Sequence, residues 1–311
     1  RNWPVEFVLQ GGVVRPKAAA GENFWQRSLD RIGQPGRITV VPLAWPEAVW
    51  WQDEQADNLV AILNRLKSTY NVDENQVSLT GISDGGTGAY FYAFKQPTQW
   101  ASFLPYIGHP GVLRNPHSGG GYRLYFENLM NKPLYIVNGE NDRLYPAASL
   151  SSFIDILKDV GVPHTWTVIA EGGHNTEWLP DYLDEVEKFK SSNRRDPFPS
   201  AIQWVADRTD RYNRNHWIQI DGIDGDERPA LLQVDRSRNL ISVEARGIEQ
   251  FRLLLSPDFI DFARPVQVVV NGESQFYDTV EQSAESLLRL ASRDLDRSML
   301  ITAELSISLT D

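Results

Sequence analysis

Short apolar runs alternate with helical patterns over the first 190 residues. The apolar runs predict strands at 5–9, 37–42, 76–80, 101–107, 133–137 and 165–170. Between them, apolar residues spaced three and four apart or good helix formers predict helices over 22–32, 53–70, 84–95, 150–160 and 181–190. Strands that alternate with helices are typical of βαβ units. The pattern therefore predicts an α/β domain with a doubly wound, mostly parallel sheet.

The pattern changes after a polar segment with two prolines, Ser191 to Ser200, which indicates a linker. Beyond it the apolar positions recur every second residue, first over 266–270 and again over 301–307. Asn271-Gly272 is a turn signal, and one helix is predicted over 280–290. We therefore expect two domains, 1–193 and 200–311. The second is a smaller, mostly antiparallel, β-sandwich-like domain.

Charge and composition exclude several classes of function. The net charge of -11 argues against nucleic acid as a partner, because phosphate binding needs a basic face. No run of about 18 apolar residues is present, so no membrane span is predicted. The chain has no cysteine, which excludes disulfides, zinc–thiolate sites and a cysteine nucleophile. Because the chain starts at Arg1 rather than Met, we expect a processed or trimmed form, with a periplasmic or secreted location favoured. The oligomeric state is left open.

Gly81-Ile82-Ser83-Asp84-Gly85 matches the pattern G-x-S-x-G. By itself the pattern is weak, since a glycine-rich turn with an incidental serine matches it equally well. Here a predicted strand ends at Thr80 and a predicted helix begins just after Ser83, which is the context of a nucleophile elbow. The helix N-terminus also favours negative charge near the serine. Ser83 is the predicted nucleophile.

A serine nucleophile needs a base, and the chain has five histidines. His174 follows the last predicted strand of the first domain, and catalytic groups in parallel sheets gather at the carboxyl ends of strands. His109, which follows the strand over 101–107, is the main alternative. His164 opens a strand at the wrong end. The last two lie in a long loop (His117) and in the second domain (His216).

The acid that orients the base is expected after a strand between the serine and the histidine. Asp142 fits this position, with Glu140 as the alternative two residues earlier. A buried carboxylate would hold the imidazole in the required tautomer and stabilise its charged form. The resulting chain order of Ser, Asp and His is the order found in α/β-hydrolases.

The oxyanion of such a reaction needs two backbone N–H donors. One should be Asp84, directly after the nucleophile, and the other Gly12, in the loop after the first strand; a plain Gly-Gly turn is the alternative for the latter. Trp45, Trp50 and Trp51 follow the second strand and either line a substrate pocket or pack in the core. The loop 108–132, rich in glycine and aromatic residues, is a candidate lid.

These motifs together resemble a family. Gln10-Gly11-Gly12, the elbow 81–86, the segment 139–146 and Gly172-Gly173-His174 look like the α/β-hydrolases grouped with polyhydroxybutyrate depolymerases, feruloyl esterases and prolyl-oligopeptidase-type enzymes. The resemblance implies that residues 1–193 form an α/β-hydrolase catalytic domain with an appended C-terminal β domain. Two features differ from relatives: Gln10 stands where they usually have His, and strands that normally precede Val5 are not seen.

The predicted function is hydrolysis of carboxylic esters through an acyl-enzyme, without metal or cofactor. The partner is a small-molecule or polymeric ester. Two alternatives stay open. One is a serine peptidase of the prolyl-oligopeptidase type, and the other is a catalytically silent binding module that docks carbohydrate or another protein.

Overall fold

A computed structural model describes residues 1–13, 33–44, 48–225 and 229–309. The chain divides into two compact units, Arg1–Arg195 and Asp196–Asp311. Arg195 belongs to the first unit through its own bonds: its guanidinium donates to Asn75 Oδ1 and, at 2.9 Å, to the carbonyl of Thr98. The predicted helix over 22–32 lies outside the described residues.

The first unit follows the predicted alternation of strands and helices. Its strands are β1 Trp3–Leu9, β2 Ile38–Val40, β3 Val72–Ile82, β4 Ser102–Tyr106, β5 Leu134–Gly139 and β6 His164–Ile169. Its described helices are α1 Asp53–Thr69, α2 Asp84–Lys95, α3 Ser151–Asp159 and α4 Leu183–Ser192. Strand β3 begins earlier than predicted, because its first residues pair with β1. Several of these residues are polar, so they form no apolar run that would predict a strand.

The six strands form one sheet in the order β2-β1-β3-β4-β5-β6, and every neighbouring pair is parallel. After β1 the chain adds β2 on one side of β1, and it then crosses over to add β3 on the opposite side. The direction of winding therefore reverses between β1 and β3. Ligand sites of open parallel sheets lie at such a point, outside the carboxyl ends of the strands.

A buried cluster of charges joins the sheet to α4. Glu6 in β1 accepts hydrogen bonds from Thr80 and, at 2.9 Å, from Lys190 of α4. Arg37 bridges Glu6 and Glu187. Burial lowers the pKa of Lys190, and the nearby charge of Glu6 opposes that shift. The pairing offsets the cost of burying these charges, which would otherwise be high.

The segment between β4 and β5 packs closely on α2 and on the residues before α1. It contains three short 3-10 turns, Pro110–Arg114, Pro116–Ser118 and Phe126–Leu129. The Tyr122 hydroxyl donates to the carbonyl of Trp51 at 2.6 Å, and Asn128 donates to the carbonyl of Phe94. These two bonds hold the candidate lid against α2 and against the residues before α1.

The second unit is built from two sheets. Its strands are β7 Ala201–Ala206, β8 Arg214–Asn215, β9 Ile218–Ile223, β10 Ala230–Ser237, β11 Leu240–Arg246, β12 Ile248–Leu255, β13 Val266–Val270, β14 Glu273–Asp278 and β15 Ala303–Ser308. One sheet has the order β14-β13-β11-β10-β7 and the other the order β15-β12-β9-β8. The β11–β13 pair is parallel and the other described pairs are antiparallel. The prediction of a smaller, mostly antiparallel β domain is confirmed.

Both sheets of the second unit contribute to one hydrophobic core. Fully buried members include Trp204, Leu232, Val268 and Phe251. Helix α5 spans Ala284–Asp294, four residues later than predicted at its start. The reason is local: the Ser283 hydroxyl accepts the backbone N–H of Ser286 and so caps the helix at that point.

Candidate active site

Ser83 lies on a strained turn between β3 and α2. Its backbone has φ 58° and ψ -116°, a conformation that non-glycine residues rarely adopt. Gly81 and Gly85 make the turn possible, because a Cβ on either would come within about 2 Å of a backbone oxygen (1.9 Å from Gly85 O and 2.1 Å from Leu9 O, respectively). The sequence predicts this strand–turn–helix context, and the local geometry exposes the Ser83 hydroxyl at the carboxyl end of the sheet.

Ser83, His174 and Asp142 form one continuous chain of hydrogen bonds. The distance between Ser83 Oγ and His174 Nε2 is 2.8 Å, and that between His174 Nδ1 and Asp142 Oδ2 is also 2.8 Å. A carboxylate can only accept, so His174 donates through Nδ1 and its Nε2 is left to accept the serine proton. The structure thus brings together the three residues that the sequence predicts as nucleophile, base and acid.

The Asp142 carboxylate is buried and fixed from two sides. Its Oδ1 accepts the backbone N–H groups of Leu144 (2.8 Å) and Tyr145 (2.9 Å), while Oδ2 faces the imidazole. Its side chain has no exposed surface, whereas that of His174 is 24% exposed. Glu140 instead accepts the backbone N–H of Glu171, on the loop that leads to His174.

His109 lies near this site without joining the chain of hydrogen bonds. Its Nδ1 accepts the backbone N–H of Gly111 at 2.9 Å, and its Nε2 is 3.3 Å from the carbonyl of Ser149. Both ring nitrogens are therefore engaged by backbone groups. His164 lies at the start of β6, and His216 lies in the second unit.

Tyr145 is a site residue that sequence reasoning missed. Its ring contacts the rings of both His109 and His174, with centroids 5.8 and 5.9 Å apart. Burial, followed by the charges of Asp84 and Asp142, raises the pKa of the Tyr145 hydroxyl, so it is neutral at ordinary pH. Its position in the sequence, three residues after Asp142, could have marked it as a candidate. Its contact with two histidines, however, arises only when the loops that carry them fold together.

The loop after β1 approaches Ser83 closely. A Cβ on Gly11 would lie 2.8 Å from Ser83 Cβ, so this position requires glycine. Gly12 has φ 73°, and no described atom lies within 4 Å of the position of a Cβ. Gln10 anchors the loop, since its carbonyl accepts the indole N–H of Trp50 at 2.7 Å. Asp84, the other predicted oxyanion donor, is buried in the first turn of α2.

The two described tryptophans of the predicted pocket group have fully buried side chains. Trp50 supports the Gln10–Gly12 loop, and Trp51 donates its indole N–H to the carbonyl of Ser118 at 3.0 Å. Their surroundings are those of the core-packing alternative. Trp45 lies outside the described residues.

No group of three or more histidine, aspartate or glutamate residues in the described part of the chain is arranged to hold a metal ion. Within the same residues, no helix has the length and apolar character that crossing a membrane requires.

Comparisons with known proteins found similarity in structure alone. No protein-family model and no curated protein matches the chain. A thermostable esterase has 18% identity and a TM-score of 0.46; the match covers 63% of this chain but only 56% of the esterase. The fluorophosphonate-binding serine hydrolase F of Staphylococcus aureus has 15% identity, a TM-score of 0.49, and coverage of 61% and 84%. An S-formylglutathione hydrolase from Agrobacterium tumefaciens has 16% identity, a TM-score of 0.46, and coverage of 62% and 84%.

These neighbours are esterases and serine hydrolases of the α/β-hydrolase type. The fold of the first unit follows from the chain's own sheet. That sheet is parallel, reverses its winding between β1 and β3, and carries Ser83 on a strand–turn–helix at the reversal. The first unit therefore has the predicted α/β-hydrolase fold, followed in the chain by a smaller β unit.

Proposed function

We propose that the protein is a serine hydrolase that cleaves carboxylic esters through an acyl-enzyme. The observation that carries the proposal is the chain of two 2.8 Å contacts from Ser83 Oγ through the His174 imidazole to Asp142. In it, Ser83 is the nucleophile, His174 the general base and Asp142 the orienting acid. The substrate is a small-molecule or polymeric ester, and no cofactor or metal takes part.

Acylation begins when the ester carbonyl carbon approaches Ser83. His174 Nε2 takes the hydroxyl proton as Oγ forms a bond to that carbon, and Asp142 stabilises the imidazolium. The carbonyl oxygen becomes an oxyanion, and the backbone N–H groups of Gly12 and Asp84 are proposed to bind it. The close approach of the neighbouring Gly11 to Ser83 supports this role, because it brings the Gly12 backbone near the nucleophile. His174 then gives its proton to the leaving alcohol, and the acyl group remains on Ser83.

Deacylation repeats these steps with water. His174 Nε2 takes a proton from a water molecule, the resulting hydroxide attacks the acyl carbon, and the same two N–H groups hold the oxyanion. The carbonyl re-forms as the bond to Ser83 Oγ breaks, and the serine regains its proton from His174. The fixed carboxylate of Asp142 supports both halves of the cycle, because it holds the imidazole in one tautomer throughout.

Labelling of the serine tests the proposal directly. A fluorophosphonate probe should label the parent protein, and Ser83→Ala should abolish both labelling and hydrolysis of a short p-nitrophenyl ester. Ser152→Ala is a matched control, since Ser152 is an exposed serine at the start of α3. It should be labelled and active like the parent.

Retained labelling in a folded Ser83→Ala variant would identify another nucleophile and contradict the proposal. A panel of acetyl, longer acyl, feruloyl and hydroxybutyrate esters, run beside an aminoacyl nitroanilide, then tests the type of bond. Faster cleavage of the nitroanilide than of every ester would contradict the ester assignment while retaining the serine mechanism.

A further inference from the structure

The second unit contains a cleft of about 1050 Å³ that the proposed hydrolysis does not use. One wall is the turn between β10 and β11, residues 236–240, and the other is the segment 257–265 after β12. Asn239 ties the walls together: it donates to the carbonyls of Asp261, Arg264 and Pro265 and accepts the N–H of Asp261. The cleft is therefore held open by its own hydrogen bonds, and its volume is at the upper end for small-molecule sites.

Arg236 lies half-buried in this cleft, and no described carboxylate pairs with it. Its guanidinium stacks on the ring of Phe259, 4.7 Å from the centroid, and reaches the carbonyls of Phe259 and Phe198 only at 3.4 Å. Its Nε is buried and has no hydrogen-bond partner among the residues that the structure describes. Burial lowers the pKa of Arg236, and although the charge of Asp196 opposes that shift, the two form no ion pair. A cation desolvated in this way favours an incoming anion.

Two other partly buried arginines of the second unit form ion pairs with carboxylates. Arg252 contacts both Asp221 and Glu304, and Arg214 contacts Asp294 at 2.8 Å. Arg236 differs from them because the group that would neutralise it is not supplied by the described part of the chain. The contact with the Phe259 ring holds the guanidinium beside the cleft, where its planar set of N–H groups can bind a carboxylate.

The other charges facing the cleft leave it net positive in an acidic protein. Arg238 is exposed at the tip of the turn and has no ion pair in the described structure. Its φ of 53° is a conformation that glycine or asparagine adopts more readily. Arg264 pairs with Asp261 at 3.3 Å, and Asp258 also faces the cleft. Three arginines thus oppose two aspartates, whereas the whole chain carries a charge of -11.

We propose that this cleft binds an oligosaccharide of uronic acids, with Arg236 and Arg238 on its carboxylates. A single small carboxylate would leave most of the volume empty, while successive sugar residues would fill it. Sugar hydroxyls match the remaining polar groups, since Asp258 accepts their hydrogen bonds and the Gln282 amide both donates and accepts. The inference concerns binding by the second unit and does not depend on the ester chemistry of the first.

Calorimetric titration of the full-length chain tests the proposal. Trigalacturonic acid is the probe, maltotriose is the neutral trisaccharide and citrate is the carboxylate without a sugar. We expect trigalacturonic acid to bind, more weakly as salt is raised, with maltotriose and citrate each at least about tenfold weaker because each offers only one of the two chemistries.

Arginine variants locate the binding. Arg238→Gln should weaken the binding of trigalacturonic acid by roughly tenfold, which corresponds to one lost charge-assisted contact. Arg236→Gln should weaken it further. Arg246→Gln is the matched control: Arg246 is exposed at the end of β11, does not line the cleft, and should bind like the parent. If Arg236→Gln lowers the temperature of the thermal transition, Arg238→Gln alone tests the proposal, because the Arg238 side chain is exposed and forms no ion pair with the described residues.

Three results would overturn the proposal. The first is no heat of binding with trigalacturonic acid up to millimolar concentration. The second is citrate binding as tightly as trigalacturonic acid, which indicates a small-anion site. The third is equal affinity of Arg238→Gln and the parent. None of these outcomes bears on labelling of Ser83, so failure here is distinct from failure of the proposed hydrolysis.

Discussion

Asp142 and Glu140 are two residues apart on one loop, but their carboxylates bind different partners. Asp142 Oδ2 faces the imidazole while Oδ1 accepts two backbone N–H groups, which together fix its orientation. Glu140 accepts the single backbone N–H of Glu171. At the residue scale, therefore, Asp142 is the one of these two carboxylates that is in a position to set the tautomer of His174.

Asp142→Asn should lower kcat for a short ester by roughly 10³–10⁴-fold with little change in stability. The amide oxygen can keep the bonds to Leu144 and Tyr145, but its NH₂ group would then face His174 Nδ1 and favour the wrong tautomer. Steady-state kinetics measure the effect. Glu140→Gln is the matched control, because its oxygen still accepts the N–H of Glu171; we expect a loss below about tenfold. The opposite ranking would give the orienting role to Glu140.

The sequence was sufficient to predict the three residues of the hydrogen-bonded chain, because each follows a strand of a parallel sheet and so reaches the same edge. Tyr145 could not be predicted in this way. Its ring contacts two histidines that lie on different loops, and these contacts depend on how the loops are arranged in the folded protein. The buried Glu6 was also not predictable as a paired charge, since Lys190 lies 184 positions away in the sequence.

At the scale of elements, the first turn of α2 lies directly against the carboxyl end of β1. The two elements meet at Gly85. A Cβ at this position would lie 2.1 Å from the carbonyl oxygen of Leu9 and 2.9 Å from that of Gln10. The turn that carries Ser83 and the proposed oxyanion loop are therefore held together by backbone packing. The sequence predicted both elements, but their close approach appears only in the fold.

Gly85→Ala should lower the free energy of unfolding by about 2–3 kcal/mol, because the overpacked methyl forces backbone shifts that exceed the helix propensity gained, about 1 kcal/mol. Urea denaturation measures the change. Gly173→Ala is the matched control, since its Cβ would come no closer than 3.6 Å to the Asn175 amide and its stability should match the parent's. Equal stability of the two variants would show that β1 and α2 can separate without cost.

The indole of Trp50 connects the turn before α1 to the loop after β1. Trp50→Phe removes the bond to the Gln10 carbonyl and should lower kcat by roughly tenfold, since a displaced loop weakens binding of the oxyanion. Trp51→Phe is the matched control: it makes an equal change in size at another fully buried position, and its indole bonds Ser118. We expect similar losses of stability from both variants and a kcat close to the parent's for Trp51→Phe. Equal kcat values for the two would contradict the proposed role of the Gln10–Gly12 loop.

At the scale of the whole molecule, every residue proposed for the hydrolysis lies in the first unit, and each unit has its own buried core. The change of apolar period after residue 200 predicted this change of architecture, because strands of a two-sheet domain bury alternate side chains. It could not show which residues of the connecting segment belong to which unit. Arg195 does so through its bonds to Asn75 and Thr98.

A fragment of residues 1–195 should therefore hydrolyse a short p-nitrophenyl ester with kcat/KM within roughly an order of magnitude of the full chain's, because units with separate cores can fold and act separately. Circular dichroism should show a cooperative thermal transition. A fragment of residues 1–193 is the matched control. It lacks both Arg194, which pairs with Asp73, and Arg195, which binds Asn75 and Thr98, and we expect a lower transition temperature with similar activity once folded. If the longer fragment folds cooperatively yet hydrolyses none of the esters that the full chain cleaves, the second unit must contribute directly to the chemistry, and the assignment of the whole site to the first unit would be wrong.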